Sequence, residues 1–139
     1  MFEDALRFAS HLAESPGESK SRCVIRELGF PDPVLQQRFD DAEGLIGFVD
    51  FWWPAQGLVG ESDGRGKYTS SSRATADDVV YAEKLREDRL RALGLGVVRW
   101  NWPMLEAPER LAARLERAGL QRITPRSRAK SSRSDKIGR

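Results

Sequence analysis

Phe48-Val49-Asp50-Phe51-Trp52-Trp53-Pro54-Ala55-Gln56-Gly57-Leu58-Val59-Gly60-Glu61-Ser62-Asp63-Gly64 is the stretch around which the chain is organised. Residues 45–54 and 57–63 are rich in aromatic and β-branched types, and Pro54 and Gly57 bracket a short turn through Ala55 and Gln56, so the stretch reads as a β-hairpin. With Pro54 opposite Gly57, paired residue numbers sum to 111, which sets Asp50 across from Glu61 and Phe48 across from Asp63. Strand side chains alternate with period two, so Asp50, Glu61 and Asp63 are expected on one face, flanked by Trp52 and Val59.

Directly opposed side chains have Cβ atoms roughly 4.5–5.5 Å apart, and like charges placed there destabilise a sheet. A divalent cation is the simplest remedy; neutralisation by Arg and Lys, or a solvated acidic edge, are the others. Carboxylate oxygens suit Mg²⁺ or Mn²⁺, whereas the lone His11 and the single Cys23 are too few for a typical zinc site. Cys23 cannot form an internal disulfide, and its place in an apolar helical pattern predicts a buried, inert thiol.

Upstream, apolar spacing predicts a short helix over residues 2–13 that Ser15-Pro16-Gly17 ends, then a second helix over 18–28 stopped by Gly29 before Pro31. Residues 34–39 read as a strand and Asp40 through Gly44 as a turn, so three strands run as an antiparallel meander. Downstream, the Gly- and Ser-rich residues 64–72 predict a loop at the mouth of the acidic face, carrying Arg65, Lys67 and Tyr68. Asp77-Asp78 opens a long helix that ends at Leu93 and Gly94, with Ala82, Leu85, Arg89, Ala92 and Leu93 facing the sheet. Its charges Glu83, Lys84, Arg86, Glu87 and Asp88 read mostly as a solvated, self-paired face. Val97-Val98-Arg99-Trp100 is a strand expected to cross over beside an earlier one in a mixed sheet, and a last helix over 104–118 turns Leu105, Leu111, Leu115 and Ala118 inward.

At 139 residues the chain is one small domain. No apolar run reaches a membrane span and the N-terminus lacks a basic start, so a cytoplasmic protein with no membrane contact is expected. The formal charge of +2 hides an asymmetry: residues 121–139 carry a net +6 and residues 1–120 a net −4. The folded domain is therefore expected over 1–120, with 121–139 a disordered basic tail that attracts polyanions without reading sequence.

Asp50, then Glu61-Ser62-Asp63-Gly64, Lys67, the helix Glu83-Lys84-Leu85-Arg86-Glu87-Asp88-Arg89, Gly94 and Val97-Val98-Arg99-Trp100 together resemble a known family. They are similar to the small endonuclease-like domains related to the very-short-patch-repair endonuclease, within the PD-(D/E)XK nuclease superfamily. The resemblance covers residues 15–118 and implies an α+β, restriction-endonuclease-like core: helix, three-strand antiparallel meander, helix, strand, with a C-terminal helix. It implies a DNA endonuclease that uses Mg²⁺ or Mn²⁺ held by Asp50, Glu61 and Asp63, with catalytic parts for Lys67 and for Glu18 on the first core helix. Arg65, Lys84 and Arg86 would touch nucleic acid. One departure stands out: the superfamily's Lys two residues after the Glu is replaced by Asp63, and the nearest Lys is Lys67. Read from the residues alone, Glu18 equally suits an i,i+4 pair with Arg22.

The rival is a non-catalytic DNA-binding or regulatory module of the same fold. Such domains often follow an antitoxin-like winged-helix segment, for which this chain has no room, so a shortened relative of toxin–antitoxin-associated proteins is the alternative expectation. A nucleotide-binding enzyme is not indicated, since Gly64-Arg65-Gly66 is too short for a phosphate-cradling motif.

Overall fold

The computed structural model describes residues 14–63 and 75–123. The expected helix over 2–13, the loop bearing Arg65 and Lys67, and the chain beyond residue 123 lie outside the described residues. In chain order the elements are α1 (Pro16–Glu27), β1 (Val34–Asp41), β2 (Gly44–Trp53), a single 3-10 turn (Pro54–Gln56), β3 (Leu58–Asp63), α2 (Ala76–Ala92), β4 (Gly96–Asn101), α3 (Trp102–Leu105) and α4 (Pro108–Arg117). The fold is α+β, with one mixed four-stranded sheet in the order β1-β2-β3-β4.

The hairpin forms as its turn chemistry dictates. Gly57 N–H donates to Pro54 O at 3.1 Å, and Gly57 takes φ 59°, a left-handed conformation that glycine adopts at no steric cost. That turn fixes the register Trp53↔Leu58, Trp52↔Val59, Phe51↔Gly60, the expected sum of 111. There the β2–β3 ladder stops, so Phe48 is not the ladder partner of Asp63; Asp63 pairs instead with Asn101 of β4, which runs parallel to β3. β1 continues to Asp41, longer than expected, because only Ala42 and Glu43 are needed to reverse the chain; Asp41 Oδ1 accepts from Glu43 N–H at 2.9 Å.

Helices cover both faces of the sheet. On one side Ile25 of α1, Leu105 of α3 and Leu111 and Leu115 of α4 bury Phe51, Trp53, Leu58 and Trp100. Two polar groups are absorbed there: Trp100 Nε1 donates to Ser21 Oγ at 2.8 Å, and Ser21 donates to Gly17 O at 2.6 Å. On the other side Leu90 of α2 packs with Ile46, Val49 and Val59, against partly buried Phe39, Trp52 and Val97.

Five helical expectations need correction. α1 starts at Pro16 rather than at Glu18: Ser15 Oγ accepts from Glu18 N–H at 3.2 Å and Glu18 Oε1 accepts from Ser15 N–H at 3.4 Å, a capping box with Pro at the first helical position. Cys23 is exposed, because the buried stripe of α1 runs through Gly17, Ser21, Val24 and Ile25, and Cys23 falls outside it. Glu18 does not pair with Arg22, which instead meets Glu14. The last helix is two, since Pro108 cannot continue α3 and opens α4; Leu105, Leu111 and Leu115 do face inward, but Ala112 takes the place of exposed Ala118. In α2 only Leu90 is buried, while Ala82, Leu85, Ala92 and Leu93 are exposed. The helix turns charged residues toward the sheet because that sheet carries buried acids.

The folded body also reaches past residue 120: Leu120 is fully buried, Ile123 N–H donates to Gly29 O at 2.8 Å, and Arg122 stacks over Phe30. Among the described residues no helix is long and apolar enough to cross a membrane.

Candidate functional site

The sheet opens at Asp50. On one side, β1–β2 pairing passes from Leu35↔Phe51 to Gln37↔Val49 without pairing Gln36 to Asp50, and Gln36 takes φ 52°. A side-chain-bearing residue in that region is strained, and such strain tends to gather at functional positions. On the other side, the β2–β3 ladder has already ended at Phe51↔Gly60. Side chains complete the connection there: Asp50 N–H donates to Glu61 Oε2 at 3.3 Å, and Ser62 N–H donates to Asp50 Oδ2 at 3.0 Å. Asp50, Glu61 and Ser62 are all buried.

This break interrupts the alternation that would have set three carboxylates on one face. Asp50 lines a cavity of about 30 Å³ on the α1 side, together with Glu14, Glu18, Leu35, Gln36 and Phe51. Glu18 and Asp50 thus line the same small cavity, while Glu18 Oε1 also accepts from Ser15 N–H. Glu61 and Asp63 are met from the other side. Arg86 of α2 donates from Nη1 to Glu61 Oε1 at 3.0 Å and from Nη2 to Glu61 Oε2 at 3.2 Å, while the same Nη2 reaches Phe48 O at 2.9 Å. Arg99 of β4 is in register with Glu61, and its guanidinium lies 3.8 Å from Glu61 and 3.4 Å from Asp63. Glu83 and Glu87 of α2 hold Arg99 in turn, at 3.2 and 3.1 Å.

Burial is the largest influence on Glu61 and pushes its carboxyl above the ordinary glutamate range; the Arg86 guanidinium pulls against it, and the neighbouring Asp50 adds to the rise. Glu87 behaves oppositely: burial pushes it up, but hydrogen bonds from Arg91 and Arg99 outweigh that and hold it below the usual range. The acids are therefore unequal, with Glu61 buried and charge-balanced and Asp63 more open, its side chain 37% exposed.

The like-charge conflict at Asp50 and Glu61 is thus relieved in this structure by backbone N–H groups and two arginines. Among the described residues no group of three His, Cys, Asp or Glu side chains is spaced to hold a metal ion. Mg²⁺, however, is usually held by one or two carboxylates and completed by water and substrate phosphate. Asp50 and Glu61 fit that requirement in donor type and number, with Arg86 as the group a cation would displace from Glu61. Arg86 is committed inward, its side chain 18% exposed, rather than presented to a ligand; Lys84 is exposed and pairs with Asp88 at 3.3 Å. Arg65 and Lys67 fall outside the described residues. Arg99, Glu83 and Ser62 were missed in the sequence. Strand alternation could have found Arg99, since Val98 and Trp100 pack into the core on the opposite face.

Comparison with known proteins adds little to this geometry. The chain is 33% identical over 119 residues, 82% of its length, to two Mycobacterium tuberculosis proteins, Uncharacterized protein MT2308 of strain CDC 1551 / Oshkosh and Uncharacterized protein Rv2248 of strain ATCC 25618 / H37Rv. It spans 40% of the length of each. No family model and no solved structure matches the chain.

Proposed function

We propose that this chain is a metal-dependent DNA endonuclease of restriction-endonuclease-like architecture, hydrolysing phosphodiester bonds at the Asp50–Glu61 cluster. The observation that carries the reading is that these two buried carboxylates bridge the end of the β2–β3 ladder, Glu61 accepting from Asp50 N–H and Asp50 accepting from Ser62 N–H. Two acids are buried at the same point of adjacent strands, Asp50 toward α1 and Glu61 toward α2, where a purely structural sheet would place apolar or oppositely charged residues. Asp50 and Glu61 would hold Mg²⁺ or Mn²⁺, with Asp63 at the rim. Such an ion supplies charge stabilisation at the phosphate and a water acidic enough to attack it.

The chain's own residues do the positioning. Ser62 N–H orients Asp50, Arg86 holds Glu61 until a cation displaces it, and Arg99 ties Asp63 and Glu61 to α2. Glu18 supports the cluster from the cavity it shares with Asp50. Lys67 and Arg65 are proposed to meet the phosphate. A lysine beside carboxylates stays protonated, so Lys67 acts as an electrostatic clamp rather than a proton acceptor.

One observation favours a second reading. Both oxygens of Glu61 accept from Arg86, as expected of a DNA-binding or regulatory module that keeps the fold with its acids neutralised, a shortened relative of toxin–antitoxin-associated proteins. Titration calorimetry with Mg²⁺ and Mn²⁺ separates the two. The endonuclease reading requires millimolar or tighter binding that Asp50→Asn removes; the module reading requires none.

A further inference from the structure

Among the described residues arginine pairing is nearly complete, and where it fails it fails on one helix face. Of the eleven arginines in the described residues, eight form ion pairs with a described carboxylate. The other three are Arg110, Arg114 and Arg117, all on α4. Their i, i+4, i+7 spacing sets them in one row, while Leu111, Ala112 and Leu115 hold the opposite face in the core. The acids of the same region are turned elsewhere. Glu109 and Glu116 lie 3.6 and 3.3 Å from Arg122, and Glu106 accepts from Trp102 Nε1.

The row leads to the acid cluster. Arg110 and Arg114 line a cleft of about 310 Å³ with Asp63, Arg99, Asn101 and Met104, at the carboxyl ends of the parallel strands β3 and β4. Arg114 Nη1 donates to Arg99 O at 2.7 Å, which anchors the middle of the row and still leaves the other guanidinium donors. From Arg110 to Arg117 the helix rises about 10 Å. Measured along the axis of B-form DNA, where each strand advances about 3.4 Å per phosphate, that length covers about three phosphates of a strand.

We propose that Arg110, Arg114 and Arg117 form a track for the phosphate backbone of a nucleic-acid strand, leading it along α4 into the cleft beside Asp63. The track rests on the reading of the acid cluster as a site acting on phosphodiesters, and it names the surface that delivers the substrate. Phosphate suits it better than an acidic peptide segment, because the planar guanidinium pairs two donors with two phosphate oxygens and phosphates recur at regular spacing.

The test uses the full chain in EDTA, so that no hydrolysis or cation binding enters it. Fluorescence anisotropy of a labelled 20-base-pair duplex is followed across a KCl series for wild type and for Arg110→Gln/Arg114→Gln/Arg117→Gln. The slope of log affinity against log salt should shrink by about 2 to 3, at 0.9 per lost phosphate contact, and affinity at 0.1 M salt should fall by about a hundredfold or more. Because Arg114 also supports Arg99, the double variant Arg110→Gln/Arg117→Gln is measured alongside. It should lose a slope of about 2 with an unchanged melting temperature, and the triple Lys variant should regain most of the wild-type slope. Unchanged slopes in both Gln variants overturn the track. So does wild-type binding of poly-glutamate as tight as that of DNA at the same salt, which would mark the row as a site for an acidic protein. If the arginines govern DNA binding but no divalent cation binds, the hydrolytic reading fails and the track stands. If a cation binds through Asp50 but DNA affinity ignores the arginines, the track alone fails.

Discussion

Replacing Arg86 with Gln should expose what Glu61 costs. Glu61 is 3% exposed and takes both guanidinium hydrogen bonds from Arg86, so without that partner a carboxylate is left buried beside Asp50 with Arg99 at 3.8 Å. Its cheapest escape is to take up a proton. From an unfolded glutamate pKa of about 4.3, protonation at pH 7 costs about 3.7 kcal/mol, and at pH 5 about 1 kcal/mol. Burial already raises the Glu61 pKa in the folded state. A group with a raised folded pKa contributes its stability below the unfolded pKa and loses it as pH rises through the folded one, so the mutant should weaken as pH rises. Urea unfolding followed by circular dichroism should find Arg86→Gln about 3 kcal/mol less stable than wild type at pH 7 and about 1 kcal/mol less stable at pH 5. The double variant Glu61→Gln/Arg86→Gln, which buries no charge there, should recover most of the loss. A destabilisation of the same size at both pH values would refute the reasoning, since it would mean the loss comes from packing and not from a stranded carboxylate.

Gly60→Ala tests how tightly the aromatic layer closes over the hairpin: an added Cβ would lie 2.9 Å from both Trp100 Cη2 and Trp53 Cζ3. Overpacking of that kind costs about 1–3 kcal/mol, so the melting temperature should drop and the near-ultraviolet tryptophan signal change, whereas wild-type stability would show that the rings yield freely. Asp41→Asn tests the Arg89 tie that holds β1 to α2, at 2.6 and 2.9 Å, through which the Asp41 carboxyl sits below the usual range. A depressed carboxyl stabilises above its unfolded pKa of about 3.9 and loses that contribution as pH falls through the folded value, so wild type and mutant melting curves should differ at pH 5 and converge as the pH is taken progressively lower. Curves that stay parallel would count against the tie.

The hairpin was legible because its register depends on four consecutive residues, Pro54 through Gly57, whose backbone preferences are local. The same holds for β4, whose short apolar run after a helix leaves a crossover into a mixed sheet as the natural place. Hydrophobic periodicity failed on α2, where the inward face is charged: Arg86 and Glu83 turn toward the sheet because Glu61 and Arg99 are there, a reason that lies in another part of the chain. It failed on Cys23 because the small residues Gly17 and Ser21, which no apolar count registers, form half of the buried stripe of α1. The acidic residues Asp50, Glu61 and Asp63 were found by register, but their division between the two sides of the sheet was not, since it follows from the skipped Gln36–Asp50 pair. Nothing in the local sequence marks Gln36 for a left-handed conformation. Pro108 did carry a readable signal, a helix start after a proline-free turn, and the split into α3 and α4 follows from it.

Nicking of supercoiled plasmid DNA tests the proposed activity most directly, with wild type, Asp50→Asn and Glu61→Gln compared in Mg²⁺, in Mn²⁺ and in EDTA. Wild type should relax and linearise plasmid only with a divalent cation, and both variants should lose at least a hundredfold of that activity while remaining folded, as expected when a group stabilising the transition state is removed. Cleavage that persists in either variant, or a wild type inert with every cation while it still binds DNA, would contradict the assignment.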